Sequence, residues 1–153
     1  MFSITVKRTT HVKLPSQIIG PRRIKVGFPA GETDSHNIQK AVWNEFGTAG
    51  GASGGGWGGP VPERPAMRNA IRSNAGSYKT ALKASASKLL LGKTNTRAVL
   101  SKLGNKASSD IKDEITSLSS PPNSLVTIAL KGSSNPLIDT GEMVGSVTWK
   151  IDQ

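Results

Sequence analysis

The chain has 153 residues, no cysteine, 35% apolar residues and a formal charge of +10. That length suits one domain, 1–153, with a core of its own, and the missing cysteines exclude disulfides, thiolate chemistry and cysteine-based zinc sites. No run reaches the roughly 18–20 apolar residues of a membrane helix, and the opening MFSITVKRTTHVKLP has no long apolar stretch, so neither a membrane span nor a signal peptide is expected.

In chain order, Phe2 to Val6 alternates and predicts a short strand. Pro15 and Gly20-Pro21 punctuate the next stretch. Arg22 to Phe28 alternates well, with Ile24, Val26 and Phe28 on the core side, and predicts a half-buried strand. Pro29 to Asn37 reads as a polar loop. Ile38 to Thr48 is assigned to a strand, with a short helix as the alternative, because periodicity cannot separate the two over so few residues. Gly47 to Pro62 (GTAGGASGGGWGGPVP) is a long flexible loop, since glycine makes any fixed conformation entropically costly. Trp57 sits in its middle, either as an anchor for a neighbouring subunit or as part of a plain linker.

Pro65 opens a helix over Ala66 to Leu91, in which Ile71, Tyr78, Leu82 and Leu89 share one stripe. Arg68, Arg72, Lys79 and Lys83 form a basic stripe beside it. Gly92 is its stop. Thr94 or Asn95 caps the next helix, where Leu100, Leu103, Ala107, Ile111, Ile115 and Leu118 step by three and four. Gly104 and Asn105 are a potential interruption, and Pro121-Pro122 ends the pattern. Leu125 to Leu130 alternates as a strand and Lys131 to Pro136 as a turn. Asp139 or Thr140 is expected to cap a helical turn through Val144, and Val147, Trp149 and Ile151 to close the sheet as a last strand. The fold class is therefore α+β: an antiparallel or mixed sheet packed against two main helices.

Charge is unevenly spread. Between Arg64 and Lys106 there are ten basic residues and no acid, an asymmetry that favours a polyanion or an acidic protein as partner. Few aromatics accompany it, and no helix-turn-helix, zinc finger or RNA-recognition signature is present. Nucleic-acid contact would thus go to phosphates, without sequence specificity.

One segment has the form of a catalytic loop. Leu137-Ile138-Asp139-Thr140-Gly141 matches the aspartic-protease pattern, in which the carboxylate shares a proton with a symmetry mate. Only twelve residues follow Gly141, too few for a flap and closing strands, so an aspartic-type peptidase is the remote alternative and a helix cap the preferred role. His11 and His36 are isolated, the glycine run lacks a following Gly-Lys-Ser/Thr, and no Gly-x-Ser-x-Gly elbow occurs. No enzyme, cofactor or metal is expected.

Four segments occur together in order: Glu45-Phe46-Gly47-Thr48, Pro62-Glu63-Arg64-Pro65, Pro121-Pro122-Asn123 with Thr127-Ile128, and Pro136-Leu137-Ile138-Asp139-Thr140-Gly141. This series, over about Ile38 to Ile151, resembles the virion morphogenesis or tail-completion proteins of tailed bacteriophages, which help join head to tail. The glycine insertion before Pro62 is longer than the resemblance leads one to expect, and Met67 and Met143 stand where an aromatic residue and leucine are usual. The resemblance implies an α+β subunit made in the host cytoplasm and built into the virion neck as a homo-oligomeric ring around the DNA channel. Six copies is the first expectation and twelve the alternative. The implied partners are adjacent neck, connector and tail proteins, with genomic DNA in the channel. Arg68, Arg72, Lys79 and Lys83 would face that channel or an adjacent ring.

Overall fold

The computed structural model describes residues 16–49 and 60–152. The N-terminal strand expected at Phe2 to Val6, His11, Trp57 and the glycine run 50–59 lie outside the described residues. Two long helices form the spine. α3 (Thr96–Ser117) begins where Asn95 Oδ1 accepts from the Ala98 N–H at 2.8 Å, filling one of the free donors of the first turn. Its periodic residues Ala107, Ile111 and Ile115 are buried, with Leu118 just past its end. α2 (Ala66–Leu90) folds back against it through a tight turn. In that turn Gly92 N–H donates to Leu89 O at 3.1 Å and Lys93 N–H to Lys88 O at 2.9 Å, satisfying the last carbonyls of α2.

The apolar stripe of α2 turns toward α3 but is only partly covered: Tyr78 reaches Asp110, and Leu82 lines a groove with Val99 and Leu103. Ile71 and Leu82 remain 40% and 42% exposed, while Ala66 and Ala70 are buried.

The sheet has two strands among the described residues. β1 (Arg23–Gly27) pairs antiparallel with β2 (Thr148–Asp152), Ile24 opposite Ile151 and Val26 opposite Trp149. Asp152 ties the end of the ribbon to Arg23 and Lys25, at 3.7 and 3.2 Å. α3 lies on this ribbon, and Gly104 is the point of contact. A Cβ there would stand 2.5 Å from Trp149 Cδ2 and 2.6 Å from Ile24 Cδ1, so only glycine fits. The neighbouring Asn105 Oδ1 accepts from Trp149 Nε1 at 2.7 Å. Gly104 and Asn105 thus do not interrupt α3; they seat it on the sheet.

Two expected strands are helices. Residues Ser35–Phe46 form α1, because Asp34 Oδ2 accepts from the Asn37 N–H at 3.2 Å and starts a helix inside what reads as loop. Asn37, Ala41 and Glu45 then fall on one buried face at helical spacing. Residues Leu125–Lys131 form α4, started by the Ser124 hydroxyl on the Thr127 N–H at 3.2 Å and stopped at Gly132. A one-turn helix α5 (Glu142–Gly145) follows, near the expected turn. The architecture is α+β, with helices packed on a small antiparallel sheet. The core gathers Ala66 and Ala70 of α2, Ile111 and Ile115 of α3, and Leu118, Leu137 and Val147 from the segments between helices and strand.

Gly104→Ala is expected to lose about 1–3 kcal/mol of stability in urea denaturation, because the added methyl overpacks a closed contact.

Candidate functional site

The most connected polar cluster lies where α1, the start of α2 and the turn after α3 converge. Pro65 occupies the N-cap position of α2 and offers no side-chain acceptor. Glu45, on the last turn of α1, takes that role from outside the helix. Its carboxylate accepts from the Met67 N–H and the Arg68 N–H, both at 3.0 Å. It is buried, and negative charge at a helix N-terminus is favourable. Arg68 closes the cluster from solvent: its Nε donates to Glu45 Oε1 at 3.0 Å, its Nη2 donates to Glu45 O at 2.5 Å and to Glu63, and its guanidinium lies 5.2 Å from the Phe46 ring centre. These bonds, that to Glu63 first, raise the Arg68 pKa above its ordinary value.

Arg64 is the second hub and is held by neutral oxygens. Its Nε donates to Pro121 O at 3.0 Å, and its Nη2 to Pro122 O and Asn123 Oδ1, both at 3.1 Å. Nη1 reaches Asn44 Oδ1 at 3.4 Å, and the Arg64 N–H donates to Asn44 O at 2.6 Å. Burial holds its pKa below the usual guanidinium value. Beside it the described residues on either side of 50–59 meet, where Thr48 N–H donates to Val61 O at 2.9 Å and Val61 N–H to the Thr48 hydroxyl at 3.2 Å. Gly47 permits this with φ 71°, a conformation that disfavours side chains, and a Cβ there would meet Val61 O at 2.9 Å. The space enclosed near Glu45, Arg64 and Ile115 is about 10 Å³, at the limit for one water and far too small for a substrate.

The catalytic-looking segment is held by another residue than the one expected. Asn135 Oδ1 accepts from the Leu137 and Ile138 N–H groups, both at 2.9 Å, and its Nδ2 donates to Thr116 O at 2.8 Å. Asp139 is exposed and caps nothing. The N-cap of α5 is Gly141, without a side-chain cap, and the Thr140 hydroxyl accepts weakly from Glu142 N–H at 3.4 Å. Nor does Asp139 join two strands of the sheet, because α4 and α5 flank it. Its charge acts at a distance on Lys131, whose pKa burial holds below the usual ammonium value and Asp139 partly restores.

The basic stripe of α2 divides in two. Arg68 is committed to Glu45 and Glu63, whereas Arg72, Lys79 and Lys83 are exposed and pair with no acid among the described residues. Further along the hairpin, Asp110 is buried and receives the Tyr78 hydroxyl at 2.7 Å and the Lys106 ammonium. Burial, and then the bond to Asp110, push the Tyr78 phenol above its ordinary range. Among the described residues no group of three or more His, Asp and Glu is arranged for a metal, and His36 is exposed on α1.

α4 presents three large apolar side chains to solvent, two of them the most exposed of that kind among the described residues. Leu125, Val126 and Leu130 are 85%, 71% and 84% exposed. Next to this helix an open groove is lined by Pro60, Val61, Pro62, Pro122, Ser124 and Thr127, with Arg64 at its floor. No family model, curated protein or solved structure matches the chain.

Glu45, Arg64, Asn123 and Asn135 carry these connections, and sequence reasoning gave none of them a role. One signal was present. A helix opening on Pro65, with no acid in its first turn, needs an acceptor from elsewhere, and Glu45 and Glu63 are the nearest preceding acids.

Arg64→Lys keeps the charge but loses the planar fork, and is expected to cost about 2–3 kcal/mol in thermal or urea unfolding. Tyr78→Phe is expected to cost about 1 kcal/mol at neutral pH. Because the folded-state phenol pKa is raised, the wild-type contribution is full below the unfolded value of about 10 and falls as pH rises above it. Melts between pH 8 and 11 should show this alkaline loss in wild type and its reduction in the variant.

Proposed function

We propose that the chain is a structural subunit of a tailed-phage neck, a head–tail joining or tail-completion protein that works by assembly rather than turnover. The observation that carries this is α4. Three large apolar side chains in six residues stand in solvent, and each Leu or Val buried on assembly contributes about 1.5–3 kcal/mol. A lone monomer gains nothing from that arrangement, whereas a ring subunit covers it with its neighbour or with an adjacent neck protein.

The segments that carry the phage resemblance also support this reading. Glu45 to Thr48, Pro62 to Pro65 and Pro121 to Asn123 are the parts that meet around Glu45 and Arg64, and they bring Thr48 and Val61 together beside α4. The proposed assembly is a closed ring around the DNA channel, six copies first and twelve as the alternative, located in the virion between connector and tail. Trp57 of the loop is the proposed anchor onto a neighbour.

Leu125→Ser with Leu130→Ser removes apolar surface that the monomer does not bury. The double variant should melt within about 0.5 kcal/mol of wild type. It should fail to enter particles, and to form the larger species seen by light scattering when wild type is mixed with its neck partners. Wild-type incorporation by the variant would remove α4 as the interface. Absence of the wild-type chain from purified virions by electron microscopy and mass spectrometry would remove the neck assignment.

A further inference from the structure

The α2–α3 hairpin concentrates nearly all the excess charge of the described chain. Residues 71–106 carry eight of the twenty Lys and Arg and none of the ten acids. The other described residues carry nine bases against ten acids, close to neutral. Of the eight, Lys106 is paired with Asp110. The other seven are exposed and form no ion pair among the described residues. This part of the hairpin is also thin: no residue from Ile71 to Leu103 is buried.

The helical positions of the seven decide what they face. On α2, Arg72, Lys79 and Lys83 fall within about 40° of each other, on the side opposite Ala70 and Tyr78, which face α3. They span about 16 Å along the axis. On one side they are flanked by the small residues Ser73, Gly76 and Thr80, with open space at Gly76, and on the other by Ile71 and Leu82, 40% and 42% exposed. Lys102 is exposed at the rim of the groove between α2 and α3, and Lys88, Lys93 and Arg97 lie about the turn at the tip.

We infer that this hairpin, from Arg72 to Lys102, is a binding surface for the phosphodiester backbone of double-stranded nucleic acid. A second copy of the chain does not fit as partner, because its body offers too little net negative charge to meet seven cations. An acidic protein fits less well, since the apolar side chains beside the stripe, Ile71 and Leu82, are only 40% and 42% exposed and no aromatic stands among the three cations to anchor a protein interface. A duplex presents one charge per about 1.7 Å of axis, so a 16 Å stripe always finds phosphates in reach. With no aromatic side chain on the stripe there is nothing for a base to stack on, and three cations in line along the surface of a helix meet the phosphates, so binding is independent of sequence. Arg68 is excluded from this surface because Glu45 and Glu63 already hold it. The inference rests on the neck reading only for which nucleic acid is met, the DNA of the channel.

The test is fluorescence anisotropy of the full chain with a labelled 30-base-pair duplex of mixed sequence, titrated from 50 to 300 mM salt. The controls are a second duplex of unrelated sequence and polyglutamate of equal charge as competitor. The expected result is equal affinity for both duplexes and a steep salt dependence. Arg72→Gln with Lys79→Gln and Lys83→Gln should weaken binding by at least tenfold at 100 mM salt and flatten the log–log slope by about 2–3. The control Lys25→Gln with Lys150→Gln, on the sheet, should not. All three replaced side chains are exposed, and a circular-dichroism melt checks that the variant is folded. No binding at 50 mM salt, equal loss in both variants, or polyglutamate competing as well as DNA would overturn the inference, the last in favour of an acidic protein. Failure here is separable from failure of the neck reading. A hairpin variant that still enters virions with DNA affinity unchanged sinks only the inference. A wild-type chain that binds duplex but is absent from virions sinks only the neck assignment.

Discussion

A helix that begins without an acceptor for its first N–H groups sets the constraint on which this fold turns. Pro65 starts α2 at a fixed backbone angle but cannot cap it, so two free donors point at whatever precedes them. Glu45 answers both, and because it sits on the last turn of α1, satisfying it fixes where α1 ends relative to α2. Burying that carboxylate requires a cation, which Arg68 supplies from the first turn of the same helix it caps. Arg64 extends the joint in the other direction, binding the turn after α3 through carbonyls rather than acids. Four chain segments are therefore positioned by two polar hubs, and the apolar core is closed beneath them by Ala66, Ile115 and Leu137.

Away from that joint the molecule changes character. The body is nearly neutral and carries every acid, while the distal hairpin is cationic and thin. Such a division has an electrostatic cost, because like charges on adjacent turns repel by a few tenths of a kcal/mol each. Asp110 offsets part of it where the hairpin enters the core, drawing in Lys106 and Tyr78. α4 poses the complementary problem, apolar surface left in water. Both features are what the proposed assembly would use, a polyanion meeting one surface and protein the other.

Much of the fold was legible locally. The step of three and four along α3, its Asn95 cap, the Gly92 turn, and the alternation of β1 and β2 all follow from contacts within a few residues, and the structure has them. The candidate site was less legible. Arg68 sits on the predicted basic stripe, yet its charge is spent on Glu45, 23 positions away. Asn135 rather than Asp139 holds the Leu137–Gly141 turn, because its side chain can reach the following N–H groups and Thr116 at once. α1, for which a helix is the alternative reading, and α4 both read as strands for a common reason: short apolar runs fit both periods, and the deciding caps, Asp34 and Ser124, lie outside those runs.

Sequence by itself determined the class of the protein, α+β with two long helices, the ends of those helices, and a cationic segment with no acid within it. These are properties of composition and of periodicity, which act over three or four residues. Only the tertiary structure decided which apolar faces are covered, which cations remain free and which acid caps α2. Those outcomes depend on segments 20 to 60 residues apart meeting in one place, and a buried charge takes its partner from whatever the packing brings within reach.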